Sequence, residues 1–313
     1  MTAISKQIIS VPHLDGIKVG CTLLPQDIDS FKPTLVLFNP FTTTADYYQR
    51  EFEDKELQAA VNLLAIEPLG HGRTQAETAE SFNYWDSAIM SIQVLQCLGV
   101  EKAFALGTSQ GGWIAMRMAL LAPKLASSLQ ILGVIPIGSC MDGETPRARE
   151  LGCWDGVANT SGLTKLGGDF TPANGFEPGS DYHKFLMEIG YGPTIDSKTN
   201  DFWAKALKEN YNGDEGKRRI CMAAVALACH DSLHLRLPYV RCPVLFLHGT
   251  ADIVFGIANA EEEIKLLKNS PSAKLVRCEG GVHFLSWTHP ETVQRELMQF
   301  IRASQEGGFK AGL

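Results

Sequence analysis

The sequence lacks the long apolar segment that a membrane-spanning helix needs. None of its 313 residues belong to an uninterrupted apolar run of about 18 residues, which is the shortest common span. The first ten residues, MTAISKQIIS, also contain no apolar core of a signal peptide. We therefore expect a soluble, cytoplasmic protein with no membrane partner.

Runs of basic residues are also missing. The formal net charge is −7, and no cluster of Lys and Arg is available to bind a phosphate backbone. This composition argues against nucleic acid as a partner and favours a small-molecule substrate. It leaves open association into a homo-oligomer.

The eight cysteines show no CxxC spacing. Most lie in apolar segments such as MSIQVLQCLGV, as reduced core residues of a cytosolic chain do. His230 and His234 have the i,i+4 spacing of two metal ligands on one helical face, with Asp231 between them. No third ligand is evident, so we expect neither a metal site nor a cofactor.

Short apolar runs alternate with helical patterns along most of the chain, which is typical of parallel βαβ units. Two further runs, in KQIISVPH and KVGCTLLP, lie too close together for a crossover helix and predict an antiparallel hairpin. The sequence thus predicts an α/β fold with a mostly parallel, eight-stranded sheet and helices on both faces. The runs assigned to the parallel part are residues 33–40, 59–68, 102–109, 128–138, 243–252 and 273–281.

Residues 139–237 interrupt this alternation. They contain no strand-like run, and helical patterns return only after a loop-rich stretch. We interpret residues 139–237 as an inserted helical lid and residues 1–138 together with 238–313 as the core domain. Phe185, Phe202 and Trp203 of the lid are candidates for lining a substrate pocket.

The stretch GTSQG places Ser109 in a G-x-S-x-G element between a predicted strand and a predicted helix. In that setting the element forms a nucleophile elbow. Gly107 and Gly111 have no Cβ, so the backbone can turn sharply and expose the serine hydroxyl. The helix that follows directs its positive end at this oxygen and stabilises negative charge there.

A nucleophilic serine needs a base, and the base needs an orienting carboxylate. Asp252 and His283 each follow a predicted strand, so with Ser109 they would meet at one edge of the sheet. Their order along the chain, Ser, Asp, His, is that of the α/β hydrolases. Asp142 remains an alternative acid, and His289 an alternative base.

With these motifs the sequence resembles the α/β-hydrolase superfamily, and its lidded serine esterases and lipases in particular. The resemblance covers nearly the whole chain outside the lid and rests on NPFTTT, EPLGHGRT, GTSQGG, HGTAD and GGVHFLSWTHPE. It implies that Ser109 is the nucleophile, His283 the base and Asp252 the acid that orients it.

The resemblance also implies an oxyanion hole made by the backbone N–H groups of Phe41 and Gln110. Asn39 and Pro40 stand where the family usually has His-Gly, and Thr42 could share the role of Phe41. His71, in the GHG stretch, is interpreted as part of a tight loop near the pocket rather than as a catalytic group.

These residues predict a serine hydrolase that cleaves a carboxylic ester, lactone or thioester of a small apolar organic molecule through an acyl-enzyme. A serine at the elbow disfavours the dehalogenase and epoxide-hydrolase chemistry that uses Asp there. Two other classes stay open. One is a carbon–carbon bond hydrolase or a cyclase of a biosynthetic pathway, and the other is a non-enzymatic ligand receptor on the same fold.

Overall fold

The computed structural model describes residues 4–76, 79, 81–168 and 174–307. Within them, eight strands form one sheet in the order β1-β2-β4-β3-β5-β6-β7-β8. The strands are β1 (Ser5–Val11), β2 (Ile17–Leu24), β3 (Thr34–Phe38), β4 (Asn62–Ile66), β5 (Lys102–Thr108), β6 (Gln130–Ile137), β7 (Val244–Gly249) and β8 (Ala273–Cys278).

The strand directions confirm the predicted fold class. β1 and β2 form an antiparallel hairpin, and β2 also pairs antiparallel with β4. All the remaining pairs, from β4 through β3 and β5 to β8, are parallel. Because parallel strands lie between two helical layers, the inner strands are mainly apolar, and every residue of β3 and β4 is buried.

Helices cover both faces of the sheet. Successive residues of β3 alternate between the two faces, so Val36 and Phe38 pack with α3 and α4 on one side, while Leu35 and Leu37 pack with α12 on the other. The α-helices are α1 (Gln49–Glu53), α2 (Lys55–Ala60), α3 (Tyr84–Cys97), α4 (Gln110–Leu125), α5 (Pro146–Glu150), α6 (Gly156–Thr164), α7 (Ser180–Tyr191), α8 (Ser197–Asn210), α9 (Gly213–Ala228), α10 (Ile257–Glu263), α11 (Leu285–Thr288) and α12 (Pro290–Gln305).

The segment between β6 and β7 is helical in its described part and holds α5 to α9. Its helices do not stand apart from the sheet: Leu186 and Met187 of α7 and Trp203 of α8 are buried in the same cluster as Leu35 and Leu37. None of the helices in the described ranges is both long and apolar enough to cross a membrane.

Glu51 of α1 carries a buried carboxylate. Its side chain has little contact with solvent, and burial raises the pKa of Glu51 from its ordinary 4.5 to about 7. Between these two values the folded chain holds a proton that the unfolded chain has released. Stability therefore falls as the pH rises through this window.

We predict that Glu51→Gln stabilises the protein at pH 8 by about 3 kcal/mol, the equivalent of the pKa difference. The gain should vanish below pH 4.5, where both side chains are neutral. Denaturant unfolding at the two pH values measures it. Glu53→Gln, at an exposed position on the same helix, is the control and should change stability by less than about 0.5 kcal/mol. An equal effect of the two variants would contradict the prediction.

Candidate active site

Ser109 lies at a sharp turn between the end of β5 and the start of α4. Its backbone angles are φ 55° and ψ −123°, a region that side-chain-bearing residues rarely adopt and that holds strain. Hydrogen bonds on both sides hold the backbone of this residue in place. The Ser109 N–H donates to the Ile137 carbonyl at 2.9 Å, and the Ser139 hydroxyl donates to the Ser109 carbonyl at 2.8 Å.

The glycines of the GTSQGG stretch are required by close packing. A Cβ on Gly107 would lie 2.0 Å from the backbone of Gly111, and a Cβ on Gly111 would lie 2.1 Å from the Phe38 carbonyl oxygen. Real Cβ atoms do not approach so closely, so α4 can cross the ends of β3 and β5 only with glycine at both positions.

Asp252 and His283 meet beyond the carboxyl ends of β7 and β8. The Nδ1–H of His283 donates to Oδ2 of Asp252 at 2.9 Å. The other carboxylate oxygen, Oδ1, accepts from the backbone N–H groups of Val254 and Phe255 at 2.8 and 3.1 Å. Both side chains are almost fully buried, so the imidazole is held in one orientation.

Asp252 remains ionised although it is buried. Burial alone would raise the pKa of Asp252, but the attraction and hydrogen bond of His283, together with nearby His248, outweigh it and leave the pKa below its ordinary value. His248 donates its own Nε2–H to the Phe255 carbonyl at 2.7 Å, which keeps the Asp252 loop closed.

Gly138, the residue after β6, makes room for this pair. Its φ is +49°, and a Cβ there would lie 2.7 Å from the His283 carbonyl oxygen and 3.2 Å from Oδ2 of Asp252. No sequence motif points to this position. The only available signal was a glycine directly after an apolar strand.

Ser109 and His283 line one cavity together with Phe41. Its walls are mainly apolar and come from both the core and the segment between β6 and β7. Further lining residues include Trp154, Tyr182, Phe185, Leu186, Ile189, Leu227, Val254 and Phe255.

The three aromatic pocket candidates occupy different environments. Phe185 of α7 lines the cavity and stacks against Trp154 at 6.1 Å between ring centroids. Phe202 is 42% exposed, and Trp203 is buried with its Nε1–H donating to the Tyr191 hydroxyl. α8 turns Phe202 toward solvent and Trp203 into the core, and neither is among the residues that line this cavity.

Phe41 and Gln110 lie on either side of the elbow. Phe41 follows β3 and lines the cavity, and Gln110 begins α4, where a backbone N–H has no acceptor within the helix. Thr42 has a φ of 56° and its hydroxyl lies 2.8 Å from the Tyr182 hydroxyl. The side-chain amide of Asn39 donates to the carbonyls of Pro40 and Thr43 at 3.2 and 2.9 Å. These bonds stabilise the turn after β3, where the family usually has His-Gly.

Asp142, the alternative acid, is bound elsewhere. Its carboxylate accepts from the Gly143 N–H at 2.8 Å and from the Thr145 hydroxyl at 2.7 Å. The alternative base His289 directly precedes α12, and its Nδ1 lies 3.2 Å from the Thr288 hydroxyl. Neither side chain is among those that line the cavity of Ser109.

His230 and His234 do not share a helical face, since α9 ends at Ala228. His230 contacts the carbonyls of Leu227 and Asp142, whereas His234 contacts Glu263 at 3.0 Å. Among the described residues, no three or more ligating side chains are grouped so as to hold a metal ion.

Comparisons with known proteins agree with this architecture. A family model for the alpha/beta hydrolase fold matches residues 33–150. A thermophilic esterase from Thermogutta terrifontis has a TM-score of 0.72 at 16% identity, covering 96% of this chain and 99% of that one. The chain has the α/β-hydrolase fold that its sequence predicts.

Two relatives are similar in sequence. Polyketide synthase ThaQ of Burkholderia thailandensis is 28% identical over 232 residues, and the match covers 68% of this chain but only 9% of that synthase. The "Putative carbamate hydrolase RutD" of Pseudomonas savastanoi pv. phaseolicola is 23% identical over 272 residues, covering 87% of this chain and 94% of that protein.

We predict that Gly138→Ala disrupts the hydrogen bond between His283 and Asp252, because the added methyl group displaces the His283 backbone. The downfield Nδ1–H proton signal of His283 should shift or disappear. Gly99 also has a positive φ, but nothing lies within 4 Å of an added Cβ. Gly99→Ala should therefore cost only about 1 kcal/mol of backbone strain and leave the signal intact. If both variants kept the signal unchanged, the steric role of Gly138 would be refuted.

Proposed function

We propose that this protein is a serine hydrolase that cleaves a carboxylic ester, lactone or thioester of a small, largely apolar molecule. The observation that carries the proposal is that Ser109, on a strained turn, and His283, fixed by buried Asp252, line the same apolar cavity. A serine and a carboxylate-held histidine are the groups that acyl transfer requires.

In the proposed reaction the Ser109 hydroxyl attacks the carbonyl carbon and passes its proton to Nε2 of His283. Asp252 holds the ring through Nδ1 and balances the positive charge that forms. The backbone N–H groups of Phe41 and Gln110 stabilise the oxyanion. His283 then protonates the leaving group, and a water molecule that it activates hydrolyses the acyl-enzyme. No cofactor takes part.

The cavity supports an apolar substrate of modest size. Its lining is dominated by aromatic and aliphatic side chains, which favour a matching acyl or alcohol group over a charged one. We further propose that residues 139–237 act as the lid, since α7 supplies four lining residues, among them Tyr182 and Phe185. The name of the RutD relative makes a carbamate a useful member of the substrate panel, beside an ester, a lactone and a thioester.

We predict that Ser109→Ala lowers turnover of an activated ester at least about 10³-fold while the protein stays folded, because only one oxygen is removed. A fluorophosphonate should label Ser109 in the wild-type chain and nothing in the variant. Failure of the folded wild type to react with the probe or with any panel member would favour a receptor. Cleavage of β-diketones but not of esters would favour a carbon–carbon hydrolase.

We predict that Asp252→Asn lowers turnover strongly, since the amide no longer holds the imidazole in its productive tautomer. Asp142→Asn is the matched control, because that carboxylate is equally buried but bonded to Gly143 and Thr145. The measurement is kcat on the activated ester, with thermal unfolding to verify the fold. A larger loss of kcat in Asp142→Asn than in Asp252→Asn would transfer the acid's role to Asp142.

We predict that Phe185→Ala changes the ratio of kcat/KM between long and short esters by about 1–3 kcal/mol, the scale of lost apolar contacts. Phe202→Ala, on the exposed face of α8, should leave the ratio unchanged. A chain-length series of esters measures both. If Phe185→Ala reduced kcat/KM for every ester in the same proportion, α7 would not select substrates through this side chain.

A further inference from the structure

His71 contacts the side chains of both residues assigned to the oxyanion hole. Its ring lies edge-on to the Phe41 ring, with 5.9 Å between centroids. Its Nε2 lies 3.0 Å from Nε2 of Gln110. His71 and Gln110 have at most 1% of their surface exposed, so water does not compete for these contacts.

The protons of this cluster can be assigned from the acceptors around it. Nδ1 of His71 lies 2.9 Å from the Leu69 carbonyl oxygen, which can only accept, so Nδ1 carries the hydrogen. Nε2 of a neutral ring is then an acceptor. The Gln110 amide donates one hydrogen to this nitrogen and the other to the Asn39 carbonyl at 3.4 Å.

The remaining atom of the Gln110 amide is also fixed. Its Oε1 accepts from the Tyr84 hydroxyl at 3.0 Å. The side chain is therefore held at both ends, and the bond to Asn39 links the β3 loop to the nucleophile elbow. Burial lowers the pKa of His71 to about 4, in keeping with a neutral ring that accepts at neutral pH.

We propose that His71 is a positioning residue of the oxyanion hole. Resting on the proposed function, it acts through Gln110 and Phe41 and sets the distance between the two backbone N–H groups that bind the oxyanion. Stabilisation by such donors depends on their placement before the reaction begins. His71 itself contacts neither substrate nor reacting atoms.

The test compares a transition-state mimic with a substrate. An alkyl trifluoromethyl ketone is attacked by Ser109: a bond forms between Oγ and the carbonyl carbon, the proton moves to His283, and the ketone oxygen becomes an oxyanion. His71→Phe keeps a ring against Phe41 but removes the acceptor. Affinity for this ketone and kcat for the matching ester should both fall about 10- to 100-fold, while KM stays within about twofold.

His71→Gln is the matched variant, because its Oε1 reaches the place of the lost nitrogen and can accept from Gln110. It should recover most of the ketone affinity. In Gln110→Met, Nε2 of His71 has no donor left to accept from. Adding His71→Phe to that variant should therefore lower the ketone affinity no further. If His71→Phe does not fold, Gln110→Met carries the test alone, and unchanged ketone affinity in that variant overturns the proposal.

The outcomes separate the two proposals. A wild-type chain that hydrolyses the ester and binds the ketone, together with a folded His71→Phe variant of equal affinity, refutes the positioning role alone. Equal loss in His71→Phe and His71→Gln also refutes it, since the acceptor would not matter. A folded wild type that neither hydrolyses esters nor binds the ketone overturns the proposed function, and this inference with it.

Discussion

The backbone strain at Ser109 is the constraint on which the site depends. A side-chain-bearing residue in this region costs about 1–3 kcal/mol, and the surrounding structure must hold it there. β5 is flanked by β3 and β6, so the turn follows a strand that is hydrogen-bonded on both sides. The hydrogen bond from the Ser109 N–H to the carbonyl of Ile137, the last residue of β6, also holds the turn in place. The central sheet thus keeps Ser109 in its strained backbone conformation.

The buried negative charge of Asp252 imposes a second requirement. An unpaired carboxylate at this depth would cost several kcal/mol. Here two backbone N–H groups and the His283 ring satisfy its oxygens. Each partner comes from the loops after β7 and β8, so the sheet brings the charge and its partners together. In the proposed mechanism, the same low-dielectric surroundings strengthen the attraction between Asp252 and a protonated His283.

Most of the architecture could be predicted because it follows from local pattern. Apolar runs and their spacing indicate the strands and the hairpin, and strand ends bring Ser109, Asp252 and His283 to one edge of the sheet. Tertiary detail could not be predicted in this way. Phe202 and Trp203 are adjacent, and no local pattern tells which face of α8 meets the core.

His71 illustrates the same limit. The GHG stretch indicates a tight loop, and proximity to the pocket was expected. Its partner Gln110 is 39 positions away, so their hydrogen bond depends on how the loop after β4 packs against the start of α4. A local sequence pattern does not predict a contact between positions so far apart in the chain.

Helix α7 lines the cavity and also contacts the loops of His283 and Phe41. The Phe284 N–H, next to His283, donates to the Gly190 carbonyl at 2.8 Å, and a Cβ on Gly190 would lie 2.4 Å from the Phe284 ring. At the other end of the helix, Tyr182 contacts Thr42 beside Phe41. Trimming Phe185 leaves these contacts in place, because they involve the backbone of Gly190 and the Tyr182 hydroxyl. Displacing the whole helix breaks both. The position of α7 is therefore tied to the loops of both His283 and Phe41.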